Sequence, residues 1–197
     1  APIRLVANAS YDGAALVDTA TAPYLTFDAQ AMTADKGLDV RLAGSAVRGK
    51  SKQTIALPQF RLTGNVQTLS ALNARYGAYV RLFLGPQYQA TGFIKQTGSS
   101  ELVQTLAADG AVTGTDLTMT TDVQLADFEL RGPPLFADTP PLQWAEKNAS
   151  VQLGLTLKDS AAGTTLSLRP AKLHSSGLEL DGEMAEADMA RLKAAGA

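Results

Sequence analysis

Two stretches of this chain alternate apolar and polar residues with a period of two, and that alternation constrains the fold more than any other feature. Leu117, Met119, Val123 and Leu125 fall on one side of a run whose other side carries Thr118, Thr120, Asp122 and Gln124. Val151, Leu153, Leu155 and Leu157 repeat the pattern against Gln152, Gly154, Thr156 and Lys158. Successive side chains of a strand point to opposite faces, so each run predicts a strand with one apolar and one wet face. Shorter runs of the same kind cover 3–10, 24–30, 39–46, 53–66, 79–84, 88–96, 164–169 and 178–184, about a dozen strands in all. Between them stand Asp12-Gly13, Lys36-Gly37, Gly85-Pro86, Asp109-Gly110 and the 159–163 segment, residue types that tolerate or preset turn dihedrals. The expected class is mainly β, built of antiparallel meanders, with a few short helices.

One phrase recurs: an amphipathic strand broken by glycine, followed by leucines or methionines at helical spacing. Phe60-Arg61-Leu62-Thr63-Gly64-Asn65-Val66 precedes Leu69 and Leu72, Tyr88-Gln89-Ala90-Thr91-Gly92-Phe93-Ile94 precedes Leu102 and Leu106, and Leu178-Glu179-Leu180-Asp181-Gly182-Glu183-Met184 precedes Met189 and Leu192. The glycines are 28 (92 − 64) and 90 (182 − 92) residues apart, so the phrase reads as a reused β-β-helix unit without a solenoid's fixed period. It predicts helices at 68–76, 99–107 and 183–195, the second capped by Ser99 or Ser100 with Glu101 in its first turn.

The pairs Pro133-Pro134 and Pro140-Pro141 interrupt both strand pairing and helix, which divides the chain into 1–131, a linker or crossing loop at 132–148, and 149–197 packed on the same sheet. Trp144, the only tryptophan, reads as an aromatic plug on a sheet end. With 197 residues, 45% of them apolar, the chain has material for a sizeable core. A net charge of −2 without a basic stripe argues against nucleic acid as a partner. The absence of cysteine removes disulfides and thiolate chemistry. No apolar run approaches the roughly 20 residues of a membrane span. Ala1-Pro2-Ile3 has neither the charged nor the apolar region of a signal peptide, so the start reads as a mature N-terminus or the edge of an excised portion.

Motifs that carry chemistry are few. Gly44-Ser45-Ala46-Val47-Arg48-Gly49-Lys50-Ser51 satisfies the phosphate-loop string, but that loop works only between a buried parallel strand and a helix N-terminus. Here 40–46 alternates like a half-exposed strand, and 52–58 is β-branched and ends at Pro58, so the segment predicts a hairpin and no phosphate chemistry at Lys50. The single His174 cannot assemble a multi-histidine metal site. Asp35 with Asp39, and Asp181 with Glu183, read as solvated carboxylates without a pocket to split their pKa values. No catalytic, metal or cofactor-binding residue is expected.

A family resemblance rests on three consecutive phrases: Phe60-Arg61-Leu62-Thr63-Gly64, then Leu69-Ser70-Ala71-Leu72-Asn73-Ala74, then Leu84-Gly85-Pro86-Gln87-Tyr88-Gln89-Ala90-Thr91-Gly92. With the following 102–117 stretch they resemble the repeats of AsmA-like proteins of bacterial envelopes, over roughly residues 38–125. The chain departs from that family in its shortness, in having no N-terminal membrane anchor, and in its proline-rich 132–141 segment. The resemblance implies a curled, taco-like β-sheet with an apolar concave face and a role in lipid movement or outer-membrane biogenesis. It also implies a periplasmic location, either free or as the soluble portion of a membrane-anchored protein.

Independently of the family, a sheet with few helices must close on itself, pair with a second sheet as a sandwich, or leave a groove. The leading expectation is a non-enzymatic envelope protein whose groove residues Leu117, Met119, Val123, Leu125, Val151, Leu153, Leu155 and Leu157 hold phospholipid or acyl chains. The rival is a structural component of a secretion system or other envelope complex, binding envelope protein partners through sheet edges. In either case Leu153→Asp is expected to bury an unpaired charge at a cost of several kcal/mol.

Overall fold

The computed structural model describes residues 3–13, 22–35, 37–69, 87–134 and 138–191. Its strands are β1 (Ile3–Tyr11), β2 (Leu25–Thr33), β3 (Leu38–Arg48), β4 (Lys52–Asn65), β5 (Gln89–Leu106), β6 (Val112–Gly132), β7 (Leu142–Ser160), β8 (Gly163–His174) and β9 (Glu179–Asp188). All nine lie in one sheet in sequence order, each antiparallel to the next, and the sheet does not close into a barrel. The mainly β meander is therefore the observed architecture, as a single open sheet and not a sandwich.

Register shows why alternation in separate strands becomes one surface. Directly opposed residues of antiparallel strands share a face. One row across the sheet reads Tyr11, Leu25, Ala46, Ile55, Leu102, Leu117, Leu157, Leu166 and Ala187. A second reads Leu5, Ala31, Val40, Leu62, Gln96, Val123, Val151, Leu173 and Leu180. The opposite face carries Ser10, Thr26 and Ser45 on β1 to β3, then Glu101, Thr118, Thr156 and Ser167 on β5 to β8. A slip of one residue anywhere would mix the two faces, so the apolar pattern itself selects the register.

Bulges preserve that phase where the sequence interrupts it. Pro58 and Pro170 have no N–H to give a ladder, and both sit at register shifts, between Leu57 and Phe60 and between Leu168 and Ala171. Gly92 (φ 109°) and Asp127 (φ 46°) flank the shift in the β5–β6 pair. Beyond it the even-numbered Phe128 and Leu130 join the packing begun by Leu125 and Ile94. The turns fall where expected at Asp109-Gly110, with Gly110 at φ 83°, and before Gly163, at φ 126°.

Among the described residues a buried cluster lies at one end of the sheet, and Leu38, Ala46, Leu106 and Ala149 are buried outside it. Val66, Ala90, Phe128 and Leu130 form the cluster, with Tyr88, Ile94, Leu125, Leu142 and Trp144 packed around them. Trp144 meets Phe128 edge to face at 5.2 Å, so the sheet-end plug is where the sequence places it.

Three local expectations are corrected. Residues 99–106 of the expected 99–107 helix are the second half of β5: Leu102 pairs with Ile55 and Leu117, and Ser99 hydrogen-bonds Thr120 Oγ1 at 2.8 Å instead of capping a helix. Leucines four apart fit one helix face and one strand face equally, and ladder partners on both sides decide for strand. Residues 183–188 belong to β9, with a helical turn only at 189–191, and the end of the expected helix lies outside the described residues. Residues 142–148, expected as linker, are the first third of β7, because β6 and β7 pair as far as Gly132 with Leu142. The recurring phrase thus gives strand, glycine and a helical turn at 66–69, but continuous strand after Gly92. Most of the 68–76 helix and the 79–84 strand fall outside the described residues.

Candidate functional site

The sheet's apolar face brings the sequence-derived groove residues together. Leu117 opposes Leu157, Met119 opposes Leu155, and Val123 opposes Val151, while Leu125 faces Ala149 and Leu153 faces Thr121. Seven of the eight are half-buried and none is fully buried. Leu153 is 38% exposed. Its replacement by Asp would keep the charge in contact with water, which corrects the expectation of a buried charge. The same face exposes Ile3, Leu5, Tyr11, Leu42 and Leu180. With Leu153 these exposed side chains lie on β1, β3, β7 and β9, between half-buried apolar neighbours, while Val6 and Phe93 are exposed on the other face.

Two details shape this face. Gln96 Nε2 donates to Thr121 Oγ1 at 3.0 Å, a self-satisfied polar pair among the aliphatic side chains. Phe27 lies over Gly44 and Phe60 over Gly98, each the directly opposed residue of the neighbouring strand. The glycines leave room for the rings to lie down on the sheet, and the rings cover backbone that glycine leaves bare.

The opposite face is held by charge. Lys172 Nζ meets Asp181 at 2.8 Å and Arg169 meets Glu183 at 2.5 Å, which raises the pKa of each cation through hydrogen bond and charge. Asp39 accepts from Gln30 at 2.9 Å and from Arg41, and these bonds lower its pKa. The Asp181 and Glu183 carboxylates, expected as solvated turn residues, are on strand β9 and remain exposed, each in an ion pair with β8. A hollow lined by Thr156, Lys158, Thr165, Ser167, Arg169 and Glu186 lies beside these pairs, and another lies between the hairpin ends at Arg48–Lys50 and Leu106–Gly110. Neither touches the eight apolar residues.

The phosphate-loop string forms the hairpin its sequence implies. Arg48 pairs with Gln53, the Gly49 N–H donates to Lys52 O at 2.8 Å, and β4 follows where a nucleotide site needs a helix N-terminus. His174 is exposed at the end of β8. Among the described residues no group of three His, Asp or Glu side chains stands close enough to hold a metal ion. Nor is any described helix long and apolar enough to cross a membrane.

Sequence reasoning missed Glu146, which is 7% exposed beside Trp144. Trp144 Nε1–H donates to one carboxylate oxygen at 3.1 Å and the Ser176 N–H to the other at 3.0 Å, tying β7 to the β8–β9 turn. The only signal was the i, i+2 spacing of the two residues. Hydrogen bonds from Ser176, then from Trp144, hold the carboxyl below the ordinary glutamate range. A folded-state pKa below the unfolded value gives stability that is present above the unfolded pKa and lost as pH falls through the folded one. Acid titration should therefore shift Trp144 emission below the ordinary glutamate range, and Glu146→Gln should abolish that step. An unchanged step in Glu146→Gln would assign it to another group.

No protein-family model, curated protein or solved structure matches the chain.

Proposed function

We propose that this is a non-enzymatic, AsmA-like protein of the bacterial periplasm that holds phospholipid acyl chains against its apolar sheet face, in lipid transfer or outer-membrane biogenesis. The observation that carries the reading is the register: nine strands align their apolar residues on one side, and among the described residues no second sheet covers that side. At about 4.8 Å between strands the sheet is about 38 Å wide, wide enough for several extended chains side by side. Acyl chains gain from leaving water along such a surface without any directional contact, so no dedicated polar site is required. The open outer edge of β1 favours a second reading, an assembly component that pairs through sheet edges.

Saturable binding of a fluorescent fatty acid or phospholipid, together with lipid co-purifying with the protein by mass spectrometry, tests the first reading. Leu153→Asp places a hydrated charge in the middle of the face. It should weaken that binding about tenfold, or about 1.4 kcal/mol, while costing about 1 kcal/mol or less in folding stability. A folded protein with no saturable binding and no co-purifying lipid overturns it.

A further inference from the structure

We propose that β1 is a self-association edge, pairing antiparallel with β1 of a second copy about a two-fold axis at Ala7. The inference deepens the edge-pairing reading and is independent of lipid binding. The two edges of the sheet differ. β9 carries five carboxylates in its ten residues, and two register shifts interrupt its pairing with β8. Charges and bulges are the devices that keep an edge from pairing. β1 has neither: it pairs with β2 without a break from Ile3 to Tyr11, contains no glycine or proline, and carries one charge, Arg4. All nine of its residues are exposed, with Leu5 at 69% and Tyr11 at 66%.

The free hydrogen-bonding groups follow from the phase of the ladder. Asp12 N–H donates to Tyr24 O at 2.8 Å, just outside the Tyr11–Leu25 pair, which makes that pair a non-hydrogen-bonded one. Ile3, Leu5, Ala7, Ala9 and Tyr11 therefore direct N–H and C=O away from β2, and the same residues carry the apolar face.

The sequence of β1 is complementary to itself in this arrangement. Centred on Ala7, the two-fold sets Ile3 against Tyr11 and Leu5 against Ala9 of the second copy, each apolar against apolar, while Arg4 meets Ser10 and no like charges oppose. An antiparallel pair about a two-fold keeps paired residues on one face, so the apolar faces of two copies join into one surface. Pairing of β9 with β9 would oppose carboxylates.

Sedimentation velocity over a concentration series of the whole protein should show a doubling of mass. Ala7→Pro removes an N–H that points outward and leaves the β1–β2 ladder intact. It should weaken the dimer about tenfold or more with the circular dichroism of the fold retained. The chain has no cysteine, so Ala7→Cys should give a disulfide-linked dimer across a pair with Cα atoms about 5.5 Å apart, while Ala187→Cys on β9 should not. A protein monomeric throughout the series whose Ala7→Cys form stays uncrosslinked overturns the proposal. So does a dimer that persists in folded Ala7→Pro, or one that crosslinks through Ala187→Cys.

Discussion

Gly98→Val should lower the melting temperature by roughly 6–12 °C, equivalent to about 3 kcal/mol in a chain of this size, or prevent soluble expression. A Cβ at Gly98 would stand 2.3 Å from Thr120 O and 2.4 Å from Phe60 Cζ. The ring can turn aside, at the cost of its packing on the apolar face. The carbonyl cannot, because β6 is fixed by ladders to β5 on one side and β7 on the other. Adding Phe60→Ala should therefore recover only part of the loss. A variant melting within about 2 °C of the native protein would show that β6 yields more easily than its two ladders imply.

Phe128→Ala should cost about 3–5 kcal/mol, the largest effect expected of any side-chain truncation among the described residues. Phe128 is 8% exposed in a buried cluster with Val66, Ala90 and Leu130, with the Trp144 indole edge-on to its ring. Most of the apolar surface elsewhere is half-exposed, so the stability of this end rests on few residues. Trp144 is the sole tryptophan and reports the change directly, by a red shift of emission in the variant before unfolding. Urea denaturation followed by that emission measures the loss, and a cost below about 1 kcal/mol would mean that the cluster does not hold the sheet end together.

The different exposures of these residues explain why part of the candidate site was legible in advance and part was not. The eight apolar positions were readable because a strand's faces alternate with a period of two whatever its neighbours are. Their degree of burial was not, since it depends on whether a second layer covers the face. Leu153 illustrates this: a leucine in a clean alternation predicts burial, yet it is 38% exposed because the sheet is single. Glu146 is the converse, a carboxylate in a segment expected as linker that the Trp144 indole and the Ser176 N–H draw into a buried place.

Local chemistry by itself determined the alternating faces, the turn at Asp109-Gly110, and the hairpin that replaces a phosphate loop around Lys50, because dihedral preference and side-chain period act within a few residues. Tertiary structure decided what depends on partners. Residues 99–106 became strand because β4 and β6 offer hydrogen bonds on both sides, overriding a leucine spacing that fits a helix equally well. The β5–β6 bulge at Gly92 and Asp127 changes which parity of residue faces the core, so Phe128 and Leu130 pack with Leu125 although simple alternation separates them. Joining nine amphipathic strands into one apolar surface is likewise a property of register, which no strand specifies alone: each side chain's face is set locally, but its neighbours on that face come from the ladder.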